Sequence, residues 1–469
     1  MIDELLREIR QTPDASGVAA FFDMDRTVVH GFTAHIFLRE RIRRRDLSTG
    51  QLGRTVLGAL QFSLGRQGFS AFLVQAAEMY AGKPEIELIK LGEQLFQRYI
   101  AARIYPEARA LIQAHKQQGH RLVLVTSATR YQAEPLAKAL GFDDVLCSRF
   151  EIDDGVITGR VERPTCYGIG KLRAASELAH ERGLDLGRSW FYSDGAEDLP
   201  LLEAVGYPRV LNPDRRLERK AKKRSWPIVH FRSRGARPTH MMRTGAGIGS
   251  LFAAVAAGLP VLAVSGDTRR ARNITVRVFG DAGTVLSGID VTLHGEENVW
   301  AHRPCVFIFN HQSAADALIL AKVLRRDIVP IGKKELKSSV FRPVFDYAGT
   351  VFIDRFDRGQ AIEALKPVVE SLGNGNCIII APEGTRSVTP SVGRFKKGAF
   401  HIARQAGVPI VPVVIRNAMD ALPKKGRIVH PAKVEVFVLP GIPTEDWTVD
   451  EVGERADEVR RLFVELLED

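Results

Sequence analysis

Residues 18–29 read VAAFFDMDRTVV: an apolar run followed by two carboxylates one residue apart, Asp23 and Asp25. Like charges at the mouth of a buried strand repel each other and lose hydration. A divalent cation held by hard oxygens offsets both costs, so the pattern points to a metal-bridged site. A second chemistry-bearing run lies far downstream. CVFIFNHQSAAD, residues 305–316, is an apolar strand followed at once by Asn310 and His311, with Asp316 five residues on. A lone histidine is ordinarily structural. A helix starting just beyond it, however, could bring the carboxylate round to the imidazole. Asp316 then fixes the tautomer while His311 takes a proton from an alcohol. No GxSxG serine accompanies it, so the base would act on a substrate hydroxyl directly.

Other polar residues fall at predicted strand ends, where open parallel sheets build ligand sites. RLVLVTSAT carries Ser127, GIGKLRAASELA opens a helix with Lys171, and SWFYSDGAEDLPLL ends a strand in Asp194 with Asp198 four residues on. This inventory suits phosphoryl transfer through an aspartyl-phosphate. Such a site needs a carboxylate nucleophile, a second carboxyl group to trade protons, hydroxyl and ammonium donors, and Mg²⁺. Downstream, TVFIDR ends in Arg355, and CIIIAPEGTRS ends in Glu383, Gly384, Thr385 and Arg386. GRFKKGAFHIA starts a helix with Lys396 and Lys397, and PIVPVVIRN is a further strand. With these strands parallel in one sheet, the arginines and lysines form a cationic collar near His311. Forked guanidinium groups suit a phosphorylated acceptor.

The elements that must position these residues alternate short apolar strands with helical patterns, which predicts an α/β fold on both sides of a central divide. At 469 residues, two or three domains are expected. The composition, 45% hydrophobic and 26% charged, is that of a globular protein. Residues 30 to about 104 read as mostly helical. Pro106 starts a helix that Gly119 ends. The four cysteines (Cys147, Cys166, Cys305, Cys377) have no metal-ligand spacing and read as buried, reduced thiols of a cytosolic chain. The start, MIDELLREIRQTPD, lacks an apolar core and reads as an amphipathic helix rather than a signal peptide.

The divide itself is unusual. Between Asn212 and Arg243 stand eleven Lys or Arg against Asp214 and Glu218. Aromatics for base stacking are sparse there, only Trp226 and Phe231, which disfavours nucleic acid. Residues 244–265, TGAGIGSLFAAVAAGLPVLAVS, then carry no charge. As a helix they match a bilayer's hydrocarbon core in length. Gly245, Gly249, Ala253 and Ala257 recur every fourth residue, a stripe suited to close helix packing in lipid. Gly258, Pro260 and the flanking arginines leave three options open: a span, a monotopic or re-entrant hairpin, or a buried core helix. A polybasic segment beside an apolar one predicts an anionic membrane surface as partner.

The DxDxT of Asp23, Asp25 and Thr27, followed in order by Ser127, Lys171 and the DGAED of Asp194 and Asp198, resembles the haloacid dehalogenase superfamily, in particular its phosphoserine-phosphatase-like branch, over about residues 15–232. The resemblance implies a Rossmann-like domain with a helical cap at about 30–104. It implies Asp23 as nucleophile, Asp25 as general acid/base, and phosphoryl binding by Thr27, Ser127 and Lys171. Mg²⁺ would be held by Asp23, Asp194 and the Asp25 carbonyl, with Asp198 in support. Glu197 stands where the phosphoserine-specific pattern commonly carries Asn, which weakens phosphoserine as the expected substrate.

NHQSAAD, GTVFIDR, APEGTRS and VPIVPVVI resemble the four motifs of the glycerolipid acyltransferases, in order. This likeness implies His311 as base, Asp316 as its orienting partner, and acceptor-phosphate binding by Arg355 and residues 383–386, with Lys396 beside them. The donor would be acyl-CoA or acyl-carrier protein. The family often starts with a membrane-embedded helical element. Pro382 favours lysophosphatidic acid over glycerol-3-phosphate as acceptor.

The expected organisation is a phosphatase domain (15–232), a basic and membrane-associated segment (233–272) and an acyltransferase domain (273–469). The chain is expected at the cytoplasmic face of the cell membrane, acylating lysophosphatidic acid to phosphatidic acid and hydrolysing a phosphomonoester. The alternative is acyl transfer alone (or glycerol-3-phosphate as acceptor), with the first half a regulatory module or a soluble phosphoserine-type phosphatase.

Overall fold

The computed structural model describes residues 2–12, 17–44, 69–235, 237–333, 342–353 and 366–468. It divides into two compact units, Met1–Gly235 and Ala236–Asp469. Arg355 and residues 45–68 of the expected cap lie outside the described residues.

The first unit is built on strands β1 (Ala19–Phe22), β2 (Arg121–Thr129), β3 (Asp144–Ser148), β6 (Trp190–Ser193), β7 (Tyr207–Leu211) and β8 (Ile228–Val229), with a small antiparallel pair, β4 (Phe150–Asp153) and β5 (Val156–Val161), to one side. The main sheet has the order β3-β2-β1-β6-β7-β8, every neighbouring pair parallel. β1 is central and all four of its residues are buried, so it reads as an unbroken apolar run rather than an alternation. Phe22 stacks on Tyr192 of β6 with ring centroids 4.5 Å apart. The cap's described part is helical, Thr33–Arg44, Phe69–Glu78 and Glu85–Leu95. The helix predicted from Pro106 runs Pro106–Gln117, and Gly119 follows at φ +75°.

The second unit has strands β9 (Ile289–His294), β10 (Val306–Phe309), β11 (Ile328–Lys333), β12 (Val351–Ile353), β13 (Cys377–Ile380), β14 (Ile410–Arg416) and β15 (Ala432–Val438), in the order β12-β11-β13-β10-β14-β15-β9. Only β14–β15 is antiparallel. β10 is central and fully buried. Its Phe307 and Phe309 enter the core on one face of the sheet, and Val306 and Ile308 enter a second core on the other. The four cysteines are free; Cys147 is half-buried and the rest buried.

The uncharged stretch forms one helix, Pro238–Ser265. It turns at Gly266 (φ +66°) into Thr268–Ser287, which packs back along it. The helix is long and apolar enough to cross a membrane, and only 17% of its most apolar window is buried. A buried core helix is therefore excluded. The expected packing stripe is corrected. A Cβ at Gly245 or Gly249 would meet nothing within 4 Å, whereas at Gly247 it would lie 2.4 Å from Ser287 Oγ, and at Gly258 2.4 Å from Thr275 Oγ1 and 2.8 Å from the Ala271 carbonyl. The second helix thus packs on the face of Gly247, Ser250, Ala254 and Gly258, and the predicted stripe lies beside it. A period-four repeat of small residues marks two candidate faces, and the partner selects one. Gly258→Ala should therefore cost about 1–3 kcal/mol through overpacking. Gly249→Ala should be neutral or gain up to about 1 kcal/mol from helix propensity. Thermal melting in detergent measures both.

Candidate active sites

In the first unit β1 delivers Asp23 to the C-terminal edge of the sheet, where its backbone N–H still bonds the Tyr192 carbonyl of β6 at 2.9 Å. The helix Ile169–Arg182 begins beneath it and presents Lys171, only 2% exposed, in its first turn. Lys171 Nζ donates to Asp23 Oδ1 at 2.6 Å and to Asp198 Oδ2 at 2.8 Å. Ser193 Oγ donates to the same Asp198 oxygen at 2.6 Å. Thr27 Oγ1 donates to Asp194 Oδ1 at 3.4 Å, and Arg26 Nη1 lies 3.2 Å from Asp194 Oδ2. Asp25 points elsewhere: its oxygens accept from Thr33 N–H at 3.0 Å and Thr33 Oγ1 at 3.2 Å. Ser127, near the C-terminal end of β2, is half-buried and lies at the same sheet end as Asp23, since Phe22 pairs with Leu124.

The electrostatics follow from crowding charges in a dry interior. Burial pushes Asp23 up to about 7 against the pull of Lys171. Burial pushes Asp25 up to about 6, opposed by its bonds from Thr33. Burial and the charge of Asp23 hold Asp194 well above the carboxylate range, opposed by Arg26. Burial alone would lower Lys171, but Asp198 and Asp23 outweigh it and raise it above an ordinary lysine. Among the described residues no three His, Cys, Asp or Glu side chains form a metal cage. Two neighbouring buried carboxylates that destabilise each other's charge nevertheless fit a hard divalent cation, which needs few protein ligands when water and substrate supply the rest.

In the second unit β10 ends at Phe309, and Asn310 locks its exit to β14 through reciprocal bonds with Ile415, 2.8 Å to the carbonyl and 2.7 Å from the N–H. His311 follows, and the helix Asp316–Leu324 brings Asp316 round to it. His311 Nδ1 lies 2.7 Å from Asp316 Oδ2. That oxygen also accepts from the N–H groups of Gln312 and Ser313, both at 3.0 Å. An oxygen accepting twice from backbone takes a donor from the ring, so Nδ1 carries the proton and Nε2 is left as base. The His311 side chain remains 31% exposed.

The APEGTRS loop wraps this segment. Its Gly384 has φ +74°, a left-handed backbone that favours glycine, and Ser387 N–H bonds the His311 carbonyl at 2.7 Å. One expectation is corrected here. Glu383 does not present its carboxylate to an acceptor phosphate. Its two oxygens accept from His311 N–H and Gly393 N–H, each at 2.9 Å, tying the two loops together. Burial pushes this carboxyl up, and those two bonds oppose the shift. Thr385 is exposed and Arg386 half-buried, while Lys396 is exposed and its backbone N–H holds the Pro382 carbonyl at 2.8 Å. Sequence reasoning missed Thr33, Arg26, Ser193 and Lys424, whose Nζ donates to the Arg386 carbonyl at 2.5 Å. Arg26 and Ser193 lie inside quoted motif runs at positions to which the motifs assign no role, Thr33 opens a helix, and Lys424 sits in a turn with no motif around it.

Two α/β sheets, one all-parallel and ending in paired carboxylates with a buried ammonium, the other mixed and ending in a histidine–aspartate pair, define two enzyme domains in one chain. Comparison with known proteins agrees. Residues 20–203 match the haloacid dehalogenase-like hydrolase family and residues 290–416 the acyltransferase family. The chain is 37% identical over 208 residues (44% of this chain, 68% of the relative) to 1-acyl-sn-glycerol-3-phosphate acyltransferase of Saccharomyces cerevisiae. It is 39% identical over 213 residues (45% and 74%) to the human alpha form of that name. It is also 35% identical over 231 residues (48% and 74%) to phosphoserine phosphatase SerB1 of Mycobacterium tuberculosis. The chain belongs to the haloacid dehalogenase-like hydrolases through its first half and to the acyltransferases through its second.

Lys171 is the cation that two buried carboxylates share. Lys171→Met should cost the first unit about 3–5 kcal/mol, the penalty for stranding buried charge. Denaturant titration followed by tryptophan fluorescence, with Trp190 fully buried in this unit, measures the loss.

Proposed function

We propose that the chain is a membrane-associated enzyme with two activities. The second unit transfers an acyl group from acyl-CoA or acyl-carrier protein to the sn-2 hydroxyl of lysophosphatidic acid, giving phosphatidic acid. The first hydrolyses a phosphomonoester. The observation that carries the acyltransferase reading is the 2.7 Å His311–Asp316 contact at the end of a buried strand, with Nε2 left free to accept a proton. Nε2 takes the proton of the acceptor hydroxyl, and the oxygen attacks the thioester carbonyl. Asp316 steadies the imidazolium, and the proton passes to the departing thiolate. Thr385, Arg386, Lys396 and Arg355 supply donors for the acceptor's phosphate. The names of the yeast and human relatives support lysophosphatidic acid as that acceptor.

In the first unit Asp23 attacks phosphorus and Asp25 protonates the leaving group, then takes a proton from the water that hydrolyses the aspartyl-phosphate. Lys171, Thr27 and Ser127 hold the phosphoryl oxygens, and Asp198 holds Lys171. Mg²⁺, bound by Asp23, Asp194 and the Asp25 carbonyl, would supply charge neutralisation and orientation of the phosphate.

Membrane attachment through the helical hairpin is supported by its exposed face, which includes Met241, Ile248, Phe252, Leu259 and Val264. The hairpin's far end is tied back to its own domain: Arg269 Nε bonds Asp327 Oδ1 at 2.6 Å, and its Nη atoms bond the Asn374 and Gly375 carbonyls. A helix whose far end returns to its own domain lies in one leaflet rather than crossing both. The donor class puts that leaflet on the cytoplasmic side, and the basic run Arg215–Arg224 favours anionic lipid.

Two point variants of the full chain test the division of labour. His311→Ala should lose acyl transfer from labelled acyl-CoA to lysophosphatidic acid by about 10³-fold or more while keeping aryl-phosphate turnover. Asp23→Asn should show the reverse pattern. Chelation of divalent cations should abolish phosphate release and leave acyl transfer at its original rate. Loss of both activities in either variant would contradict two independent sites.

A further inference from the structure

The proposed phosphatase chemistry gives Asp23 and Asp194 a shared cation, yet their local partners differ. Asp23 has the buried ammonium of Lys171, which Asp198 also holds. Asp194 has Arg26, which lies inside the DMDRT run itself and is one-third exposed. Arg26 is held in an uncommon conformation for a side-chain-bearing residue, φ +61°. Four contacts maintain it. Its N–H bonds the Val29 carbonyl at 2.7 Å, and its carbonyl accepts from Asn212 Nδ2 at 2.8 Å. Its Nη2 donates to the Asn212 carbonyl at 3.2 Å, and its guanidinium carbon stands 5.8 Å from the Phe32 ring. The other terminal nitrogen, Nη1, reaches Asp194 Oδ2 at 3.2 Å, while Thr27 Oγ1 takes the other oxygen. Both oxygens of Asp194 are therefore engaged within the protein, one of them by a fixed positive charge.

We infer that Arg26 competes with the divalent cation for Asp194 and sets the affinity of that site below what its carboxylates alone would give. The inference rests on the reading of Asp194 as a metal-holding residue. A guanidinium 3.2 Å from a ligand oxygen acts in two ways. It neutralises part of the charge that attracts the metal, and its own charge repels a second cation. Its anchoring by Asn212 and its strained backbone keep it there instead of letting it drift into solvent. Arg26 is thus a positioning residue for Asp194, and it makes occupancy of the site depend on the free cation concentration.

The test is calorimetric titration of Mg²⁺ into the full-length protein, a readout that needs no turnover. Arg26→Gln and Arg26→Met, the latter keeping an aliphatic stem beside Phe32, should each bind Mg²⁺ about tenfold more tightly, equivalent to about 1.4 kcal/mol. Mg²⁺ should also raise their melting temperatures more than it raises that of the unmodified chain. Arg26→Lys retains a cation and should stay within about threefold of the original affinity. Unchanged or weaker binding in both neutral variants would overturn the inference, as would equal tightening in Arg26→Lys. Asp194→Asn separates this failure from that of the underlying reading. If it loses Mg²⁺ binding, the metal site stands whatever Arg26 does; if it binds like the original, both ideas fall.

Discussion

A carboxylate buried at the end of a β-strand keeps its charge only while something donates to it, and that constraint organises both halves of this protein. In the first, Asp23 leans on Lys171, Lys171 on Asp198, and Asp198 on Ser193. In the second, Asp316 gathers two backbone N–H groups and an imidazole on one oxygen, and Glu383 gathers two backbone N–H groups from separate loops. Removing a donor from either arrangement would strand buried charge at a cost of several kcal/mol. The sheets supply the dryness, and the loops supply the donors.

Much of this was legible in the order of residues. Strands buried on both faces are written as unbroken apolar runs, and AAFF and VFIF announced both sheet centres. The polar residues that follow such runs fall at strand ends by necessity, so the order of residues alone puts Asp23, Asp194, His311 and the EGTR run there. A carboxylate five residues past a histidine reaches its ring only if a helix starts between them, and here one does.

What the sequence did not disclose are contacts set by where loops return. Thr33 meets Asp25 eight residues away across a turn, and Arg26 meets Asp194 across 168 positions. No periodicity encodes either. Glu383 shows a subtler limit: a charged residue inside a ligand-binding motif is not thereby a ligand contact, and its carboxylate serves the backbone. The packing face of the apolar helix is hidden in the sequence for a similar reason. Gly245 and Gly247 look equivalent in a list of small residues, and only the position of the partner helix tells them apart.

β10 contributes its four residues alternately to two separate cores, Phe307 and Phe309 on one side and Val306 and Ile308 on the other. Its exit is therefore clamped from above and below, and the imidazole that follows inherits the rigidity of both layers. Reshaping either layer would be felt at His311 as well. Freedom to change in this domain therefore lies in the outer strands and surface loops, where a substitution strains one layer at most.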